Sequence, residues 1–198
     1  MTQNNKIIGV TGITGSGTST VTALLSEIFG GFVICADKLA HEVMLKGQPA
    51  YDKVLDNFGK EVLDCSGEIN RKALGAKVFG NRKKLAVLES IIHPEVIAKT
   101  HELLAQAVGF PFSVIDAPLL IESGMHKICH WVWLVTADND IRLQRIQSRD
   151  GIDRETAVRR LKSRTGDDFL RPYAHAIIEN NSDIVSLRQV VERNIMLA

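Results

Sequence analysis

The sequence is poor in the features that mark several classes of protein. Its 198 residues include only three cysteines and no Cys-x-x-Cys pair, which argues against a disulfide-stapled secreted scaffold and a cysteine-based zinc site. No apolar run reaches the length of about 18 residues that a membrane-spanning helix needs. Charge of one sign is not in excess either, because 24 lysines and arginines face 23 acidic residues, a net charge of +1. We therefore expect neither a nucleic-acid partner nor a membrane partner.

The composition is that of an ordinary globular protein, with 45% hydrophobic and 24% charged residues. The length predicts one domain, residues 1–198. The segment Met1–Lys6 is polar and lacks the basic and then apolar stretches of a secretory signal. We therefore expect a cytoplasmic protein. The sequence predicts no particular oligomeric state.

Short apolar runs alternate with segments of helical periodicity along the chain. Strands are expected near residues 6–10, 32–35, 112–116, 131–135 and 176–178. This alternation predicts an α/β fold with a doubly wound, parallel five-stranded sheet. The mostly helical stretch of about 38–109 is too long for one crossover, and it predicts an inserted helical lobe that holds a substrate. The core then comprises about 1–37 and 110–198.

Local signals place several helix ends. Gly30-Gly31 should end the first helix, which is expected over 19–29. Pro49 is expected to begin one helix of the lobe and Asn70 to cap another. His93-Pro94 is expected to interrupt a long helical run, because proline breaks the backbone hydrogen-bond ladder.

The sharpest motif lies between the first strand and the first helix. Gly12, Gly17 and Ser19 have the spacing of a P-loop, the phosphate-binding motif of P-loop NTPase-type folds, and this spacing predicts a phosphate-binding loop. Glycines let the backbone approach a phosphate closely, and the helix that follows directs its positive end at the same anion. The Ser19 hydroxyl is a candidate ligand of Mg²⁺. The predicted phosphate-binding residues are Gly12, Ile13, Thr14, Gly15, Ser16, Gly17, Thr18, Ser19 and Thr20.

One residue of this motif departs from the pattern, because Thr18 stands where a P-loop has lysine. A lysine ammonium 4 Å from the transferred phosphoryl group is worth about 4 kcal/mol at an effective dielectric of about 20. That corresponds to about 10³-fold in rate. The loop therefore predicts phosphate binding, whereas its catalytic competence depends on what replaces this charge.

Basic residues recur later at helical spacing. Arg142, Arg145 and Arg149 are three and four residues apart and share one helix face, whereas Leu143 and Ile146 point toward the core. Arginine suits bidentate contacts with phosphate, so this face predicts a lid over about 140–170. Asp116 ends the third strand, where its carboxylate could hold Mg²⁺ through water or orient an acceptor. A cap or turn role is the alternative for Asp116.

These motifs, in this order and spacing, resemble the dephospho-coenzyme A kinase family over nearly the whole chain. The resemblance implies transfer of the γ-phosphoryl group of ATP to the ribose 3′-hydroxyl of dephospho-CoA, which is the last step of CoA synthesis. The residues that carry it, besides the loop, are Ala36-Asp37, Asn70-Arg71, Leu74, Val78-Phe79, Leu88-Glu89, His93-Pro94, the run from Asp116 to Ser123, Arg145, Arg149-Asp150 and the run from Ile178 to Asn181.

The resemblance also implies roles for single residues. Asp37 corresponds to the catalytic aspartate that accepts the hydroxyl proton, although an N-cap role for a helix over 38–44 is also open. Asp116, Arg145 and Arg149 would assist the transfer. The substrate contacts would come from Arg71, His93, Pro118, Leu119 and Leu120.

The chain departs from the family pattern at Thr18, at Cys35 (usually aspartate), at Arg164 (usually glutamine) and at His175 (usually aspartate). We hypothesise that Arg164 supplies, on lid closure, the charge that Thr18 lacks. Two alternatives follow from these departures: a kinase of the same fold that acts on another alcohol, and a catalytically silent relative that binds nucleotide or CoA and regulates a partner.

Overall fold

The computed structural model describes residues 6–162 and 166–198 of the chain. These residues form two compact units. The core unit contains the described residues up to Ile34 and those from Ala107 to Ala198, and the helical unit is Cys35–Gln106.

The described residues contain a five-stranded sheet in the order β2-β3-β1-β4-β5. The central strand β1 pairs in parallel with β3 and β4, and β4 pairs in parallel with β5. This topology confirms the predicted doubly wound α/β fold. The strands are β1 (Lys6–Gly12), β2 (Phe32–Cys35), β3 (Phe112–Asp116), β4 (Trp131–Thr136) and β5 (Ala176–Glu179).

Helices precede or follow each strand. Those of the helical unit are α2 to α5, with a short 3₁₀ turn at Lys60–Val62; further 3₁₀ turns lie at Met125–Ile128 and Arg171–Tyr173. The helices are α1 (Thr18–Glu27), α2 (Ala36–Glu42), α3 (Pro49–Phe58), α4 (Arg71–Val78), α5 (Arg82–Gln106), α6 (Asn139–Asp150), α7 (Arg154–Lys162), α8 (Asp167–Leu170) and α9 (Ile184–Ile195). Within the described residues, no helix combines the length and apolar character that a membrane crossing requires.

The hydrophobic core of the core unit lies against the central strands. β1 is buried continuously from Ile8 to Gly12, as expected for a parallel strand whose two faces are both covered. Trp133 is fully buried in this core and packs within it. The buried cluster comprises Ile8, Val10, Phe112, Val114, Trp133, Val135 and Ile178 of the sheet, Val21, Leu24 and Leu25 of α1, and Leu187 and Val191 of α9.

The expected helix ends are mostly found. The Gly31 amide donates to the Leu25 carbonyl at 2.9 Å and so closes the end of α1. Pro49 is the first residue of α3. The Asn70 side chain caps α4 by accepting hydrogen bonds from the amides of Lys72 and Ala73.

The interruption expected near His93-Pro94 is wrong, because α5 runs unbroken from Arg82 to Gln106. An internal proline removes one backbone donor and disfavours a helix by about 3 kcal/mol. Tertiary packing offsets this cost, since Ile91 and Val96 are buried on either side of Pro94. Helices α2, α3 and α4 all pack against α5.

Candidate functional site

The glycine-rich loop has the backbone conformation of an anion cradle. Gly15 and Gly17 have φ angles of +85° and +94°, a region that residues with a side chain rarely adopt. The Ser16 amide donates to the Ile13 carbonyl at 3.0 Å and makes the tight turn between β1 and α1. The N-cap of α1 is Gly17, which has no side chain to accept a hydrogen bond from the first amides of that helix. These amides, together with the positive end of the helix dipole, are available to an anion.

Gly12 must be a glycine because the space beside it is occupied. A Cβ atom there would lie 2.5 Å from the Val135 carbonyl oxygen and 2.6 Å from Ser16 Oγ. Ser16 is itself 1% exposed, and its Oγ has no hydrogen-bond partner within the described part of the chain. A buried hydroxyl without a partner is costly, and Ser16 is not among the residues that line the cavity described below.

Two arginines of α6 donate hydrogen bonds to carbonyl oxygens of the loop. Nε of Arg142 donates to the Thr14 carbonyl at 3.0 Å, and the Arg142 side chain is 3% exposed. Nη1 of Arg145 donates to the Gly15 carbonyl at 3.5 Å and to the Ser16 carbonyl at 3.3 Å. Consecutive carbonyl oxygens of the loop are therefore directed at guanidinium groups, which places positive charge next to a loop that lacks lysine.

Asn180 is a further residue of this contact, and sequence reasoning gave it no role. Its Nδ2 atom donates to the Ser16 carbonyl at 2.8 Å, while its main-chain oxygen accepts from Arg145 Nη2 at 3.0 Å. Asn180 lies within the run from Ile178 to Asn181 that matches the family pattern. The sequence therefore pointed to this segment. It could not predict the contact of Asn180 with Ser16, because the two residues are 164 positions apart.

A cavity of about 410 Å³ opens beside the loop. It brings together six of the predicted residues, four from the loop and its helix and two arginines from α6. Ile146 and Ser148 also line the cavity, and neither was predicted to do so. Ser148 is three residues from Arg145 and so lies on the same helix face as that arginine. Its lining is Gly15, Gly17, Ser19, Thr20, Arg145, Ile146, Ser148 and Arg149. Arg142 is not among these residues.

The rim of the cavity carries a network of charges. Nε of Arg149, an exposed side chain, donates to Asp150 Oδ1 at 2.7 Å, and Arg160 of α7 also pairs with Asp150. The hydrogen bond from Arg149 lowers the pKa of the Asp150 carboxyl group, with smaller contributions from the charges of both arginines. Asp150 is therefore ionised at neutral pH and holds the Arg149 guanidinium at the rim.

The predicted site residues at the end of β3 and just after it are half-buried, except for one that is buried. Asp116 is half-buried at the carboxyl end of β3, in register with Val10 of β1. Pro118 and Leu119 are also half-buried. Leu120, however, was expected to line a substrate wall and is fully buried. It packs where Gly9 has no side chain, since a Cβ on Gly9 would come within 2.7 Å of Leu120 Cδ2, so Leu120 is a core residue.

Three predicted site residues belong to the helical unit. Asp37 is exposed in the first turn of α2, whose N-cap is Cys35. The N-cap alternative for Asp37 is therefore wrong, because the helix begins one residue before it. Arg71 is the exposed first residue of α4, and His93 is half-buried within α5.

The hypothesis that Arg164 supplies the charge that Thr18 lacks concerns two positions, and the structure describes only one of them. Thr18 is the half-buried first residue of α1. Arg164 lies outside the described residues, so the hypothesis that it replaces the missing lysine remains a prediction.

Comparisons with known proteins show the family of this chain. A profile of the dephospho-CoA kinase family matches residues 6–186. A dephospho-CoA kinase of Fusobacterium nucleatum is 40% identical, over 94% of this chain and 95% of that protein. One of Carboxydothermus hydrogenoformans is 38% identical, over 93% of this chain and 90% of that protein. A crystal structure from Thermus thermophilus superposes with a TM-score of 0.85 at 29% identity and covers 98% of both chains. The chain therefore belongs to the dephospho-CoA kinase family, as the order of its motifs predicted.

Proposed function

We propose that this chain transfers the γ-phosphoryl group of ATP to the ribose 3′-hydroxyl of dephospho-CoA and so forms coenzyme A. The observation that carries this proposal is the loop between Gly12 and Ser19, in a chain of this family. It lines a cavity of about 410 Å³ that Arg145 and Arg149 also line. The three cysteines of the chain are free, which is in keeping with a reducing, cytoplasmic location.

The loop binds the phosphates of ATP mainly through main-chain amides. Gly15, Gly17 and Ser19 line the cavity, and the start of α1 supplies amides that no helical carbonyl can satisfy. The predicted loop residues Ile13, Thr14, Ser16, Thr18 and Thr20 complete the cradle. Arg149 at the rim contributes a guanidinium that can reach a phosphate oxygen, and its bond to Asp150 sets its position.

Asp37 is the base of the proposed reaction. Its carboxylate takes the proton of the 3′-hydroxyl while that oxygen forms a bond to the γ-phosphorus, and the bond to the β,γ-bridging oxygen breaks to release ADP. Asp37 is exposed in the structure, so its carboxylate is accessible to a substrate hydroxyl. Asp116, at the carboxyl end of the strand beside β1, assists the same transfer.

The oxygen donors present fit a magnesium ion. Mg²⁺ prefers oxygen ligands and usually binds through one or two protein groups together with substrate phosphates. The exposed Ser19 hydroxyl at the cavity and the half-buried Asp116 carboxylate would hold it in this way. When bound, the ion neutralises charge on the β- and γ-phosphates.

The helical unit is proposed to bind the acceptor. Dephospho-CoA is long and partly apolar, which suits a helical receptor with a few polar contacts. Arg71 offers an exposed cation for its phosphates, and the half-buried His93 offers a second polar group. Pro118 and Leu119 of the core unit supply apolar surface.

The experiment that tests this function is an assay of dephospho-CoA phosphorylation by the protein with its natural sequence. Purified protein is incubated with ATP, Mg²⁺ and dephospho-CoA, and the product is identified by its mass beside a Thr18→Lys variant. The proposal predicts coenzyme A from the natural sequence. Nucleotide binding without product, together with product from the Thr18→Lys variant, would instead identify a silent relative. ATP consumption with another alcohol but not with dephospho-CoA would identify a changed acceptor.

A further inference from the structure

Asn180 is held rigidly at the end of β5. Its amide donates to the Thr136 carbonyl at 2.8 Å and extends the sheet by one residue beyond Glu179. Its side chain is 4% exposed, and both ends of the carboxamide have partners. Oδ1 accepts a hydrogen bond from Arg145 Nη2 at 3.3 Å, and Nδ2 donates to the Ser16 carbonyl at 2.8 Å.

The Ser16 carbonyl determines the direction of a loop amide. The peptide unit is planar and trans, so the C=O of Ser16 and the N–H of Gly17 point in opposite directions. When Asn180 holds this carbonyl on one side of the loop, the Gly17 amide points to the other side. Gly17 lines the cavity, next to the first amides of α1.

Gly17 is also shaped to admit Asn180. A Cβ atom on Gly17 would collide with Asn180 Nδ2 and would lie 3.6 Å from Arg145 Nη1. The absence of a side chain at Gly17 therefore has two consequences. The residue can adopt a positive φ angle, and the Asn180 carboxamide can reach the loop backbone. No other residue type at position 17 allows both features.

We propose that Asn180 is a positioning residue for nucleotide binding, and that it acts through the Ser16–Gly17 peptide rather than by touching ATP. The carboxamide fixes the Gly17 amide in the direction of the phosphates before the nucleotide arrives. A loop without lysine depends on such preorganised amides, since no mobile ammonium group can compensate for a misplaced donor. The inference rests on the proposed function only in that a nucleotide phosphate is the ligand of the loop.

The test compares Asn180→Asp with Asn181→Asp. The first variant keeps the size and the acceptor for Arg145, but it places an oxygen against the Ser16 carbonyl. The second changes the neighbouring exposed residue, which pairs with Asp138 and not with the loop. ADP affinity, measured by calorimetry without any acceptor, should weaken about tenfold in Asn180→Asp, as expected when the Ser16 carbonyl loses its carboxamide donor and keeps only the longer bond from Arg145. It should stay within about twofold of the natural sequence in Asn181→Asp.

Steady-state kinetics separate positioning from general damage. In Asn180→Asp the KM for ATP should rise while the KM for dephospho-CoA stays unchanged, whereas a loosened fold would raise both. If Asn180→Asp does not fold, Asn180→Ala is measured in the same way, because Arg145 retains the main-chain oxygen of Asn180. Unchanged ADP affinity in the folded variant, or a parallel rise of both KM values, would overturn the proposal. If the natural sequence binds ADP with this Asn180 dependence yet forms no coenzyme A, the proposed function fails and the positioning role stands.

Discussion

Arg142 on α6 and Thr14 in the glycine-rich loop are joined by a hydrogen bond of 3.0 Å from Nε to the Thr14 carbonyl. The next loop residue packs directly on the same arginine, since a Cβ on Gly15 would lie 2.9 Å from the Arg142 carbonyl oxygen. Helix α6 and the loop are thus packed together before any ligand binds. The contact explains why a buried arginine lies in a helix whose other arginines are at the cavity.

Replacing Arg142 should destabilise the core unit. Arg142→Met keeps much of the side-chain volume but leaves the Thr14 carbonyl without its charged donor, which costs about 2 kcal/mol. Denaturant unfolding measures this change, with Arg188→Met on the exposed face of α9 as the matched control. A loss of stability no larger than that of the control would show that the Arg142 contact does not stabilise the loop.

Asp37→Asn should separate catalysis from nucleotide binding. Removing a general base lowers kcat by about 10²- to 10⁴-fold, whereas ADP affinity should not change because Asp37 is not part of the loop. Asp52→Asn provides the control, since Asp52 is an exposed aspartate in the first turn of α3. Equal kcat values for the two variants would remove Asp37 from the proposed mechanism.

The cysteines should differ sharply in reactivity. Burial raises the pKa of the Cys129 thiol to about 12, so almost none of it is thiolate at neutral pH, whereas Cys65 is exposed. A short pulse of iodoacetamide followed by peptide mass spectrometry should label Cys65 and leave Cys129 unmodified until the protein is unfolded. Rapid labelling of native Cys129 would contradict the raised pKa of its thiol.

The cap of α9 should make stability depend on pH. The Ser186 amide donates to Asp183, and this bond lowers the pKa of the Asp183 carboxyl group below its ordinary value of 3.8. A lowered native pKa stabilises the fold above the unfolded-state pKa, and the contribution disappears as the pH falls through the native value.

Asp183→Asn keeps an acceptor but removes the titrating charge. The natural sequence should therefore be more stable than the variant at about pH 6, and this difference should shrink toward about pH 3. Thermal unfolding at a series of pH values measures the difference. A difference that does not change with pH would mean that Asp183 contributes only through an uncharged hydrogen bond.

Features with a local cause were predictable from the sequence. The strands followed from short buried apolar runs, the loop from the glycines at 12 and 17, and the start of α4 from the cap at Asn70. Each of these features depends on residues within one turn or one strand, so a short stretch of sequence is enough to predict it.

Features with a distant cause were not predictable. Pro94 stays within α5 because other helices pack against that helix, and Leu120 is buried because Gly9 of β1 leaves room for it. Asn180 reaches Ser16 across 164 residues, and Arg142 reaches Thr14 across 128. Helical spacing predicted that Arg142, Arg145 and Arg149 share one face. Only the fold shows that Arg142 is buried against the loop while Arg149 lines the cavity.

The central claim is that main-chain amides of the loop hold a polyphosphate although Thr18 stands in the place of lysine. Titration of ¹⁵N-labelled protein with ADP and Mg²⁺, followed through amide chemical shifts, tests it most directly. We predict that the amides of Gly15, Gly17, Thr18 and Ser19 shift with ADP and not with adenosine, which has no phosphates. Saturable binding of ADP that leaves these four amides unmoved would contradict the account.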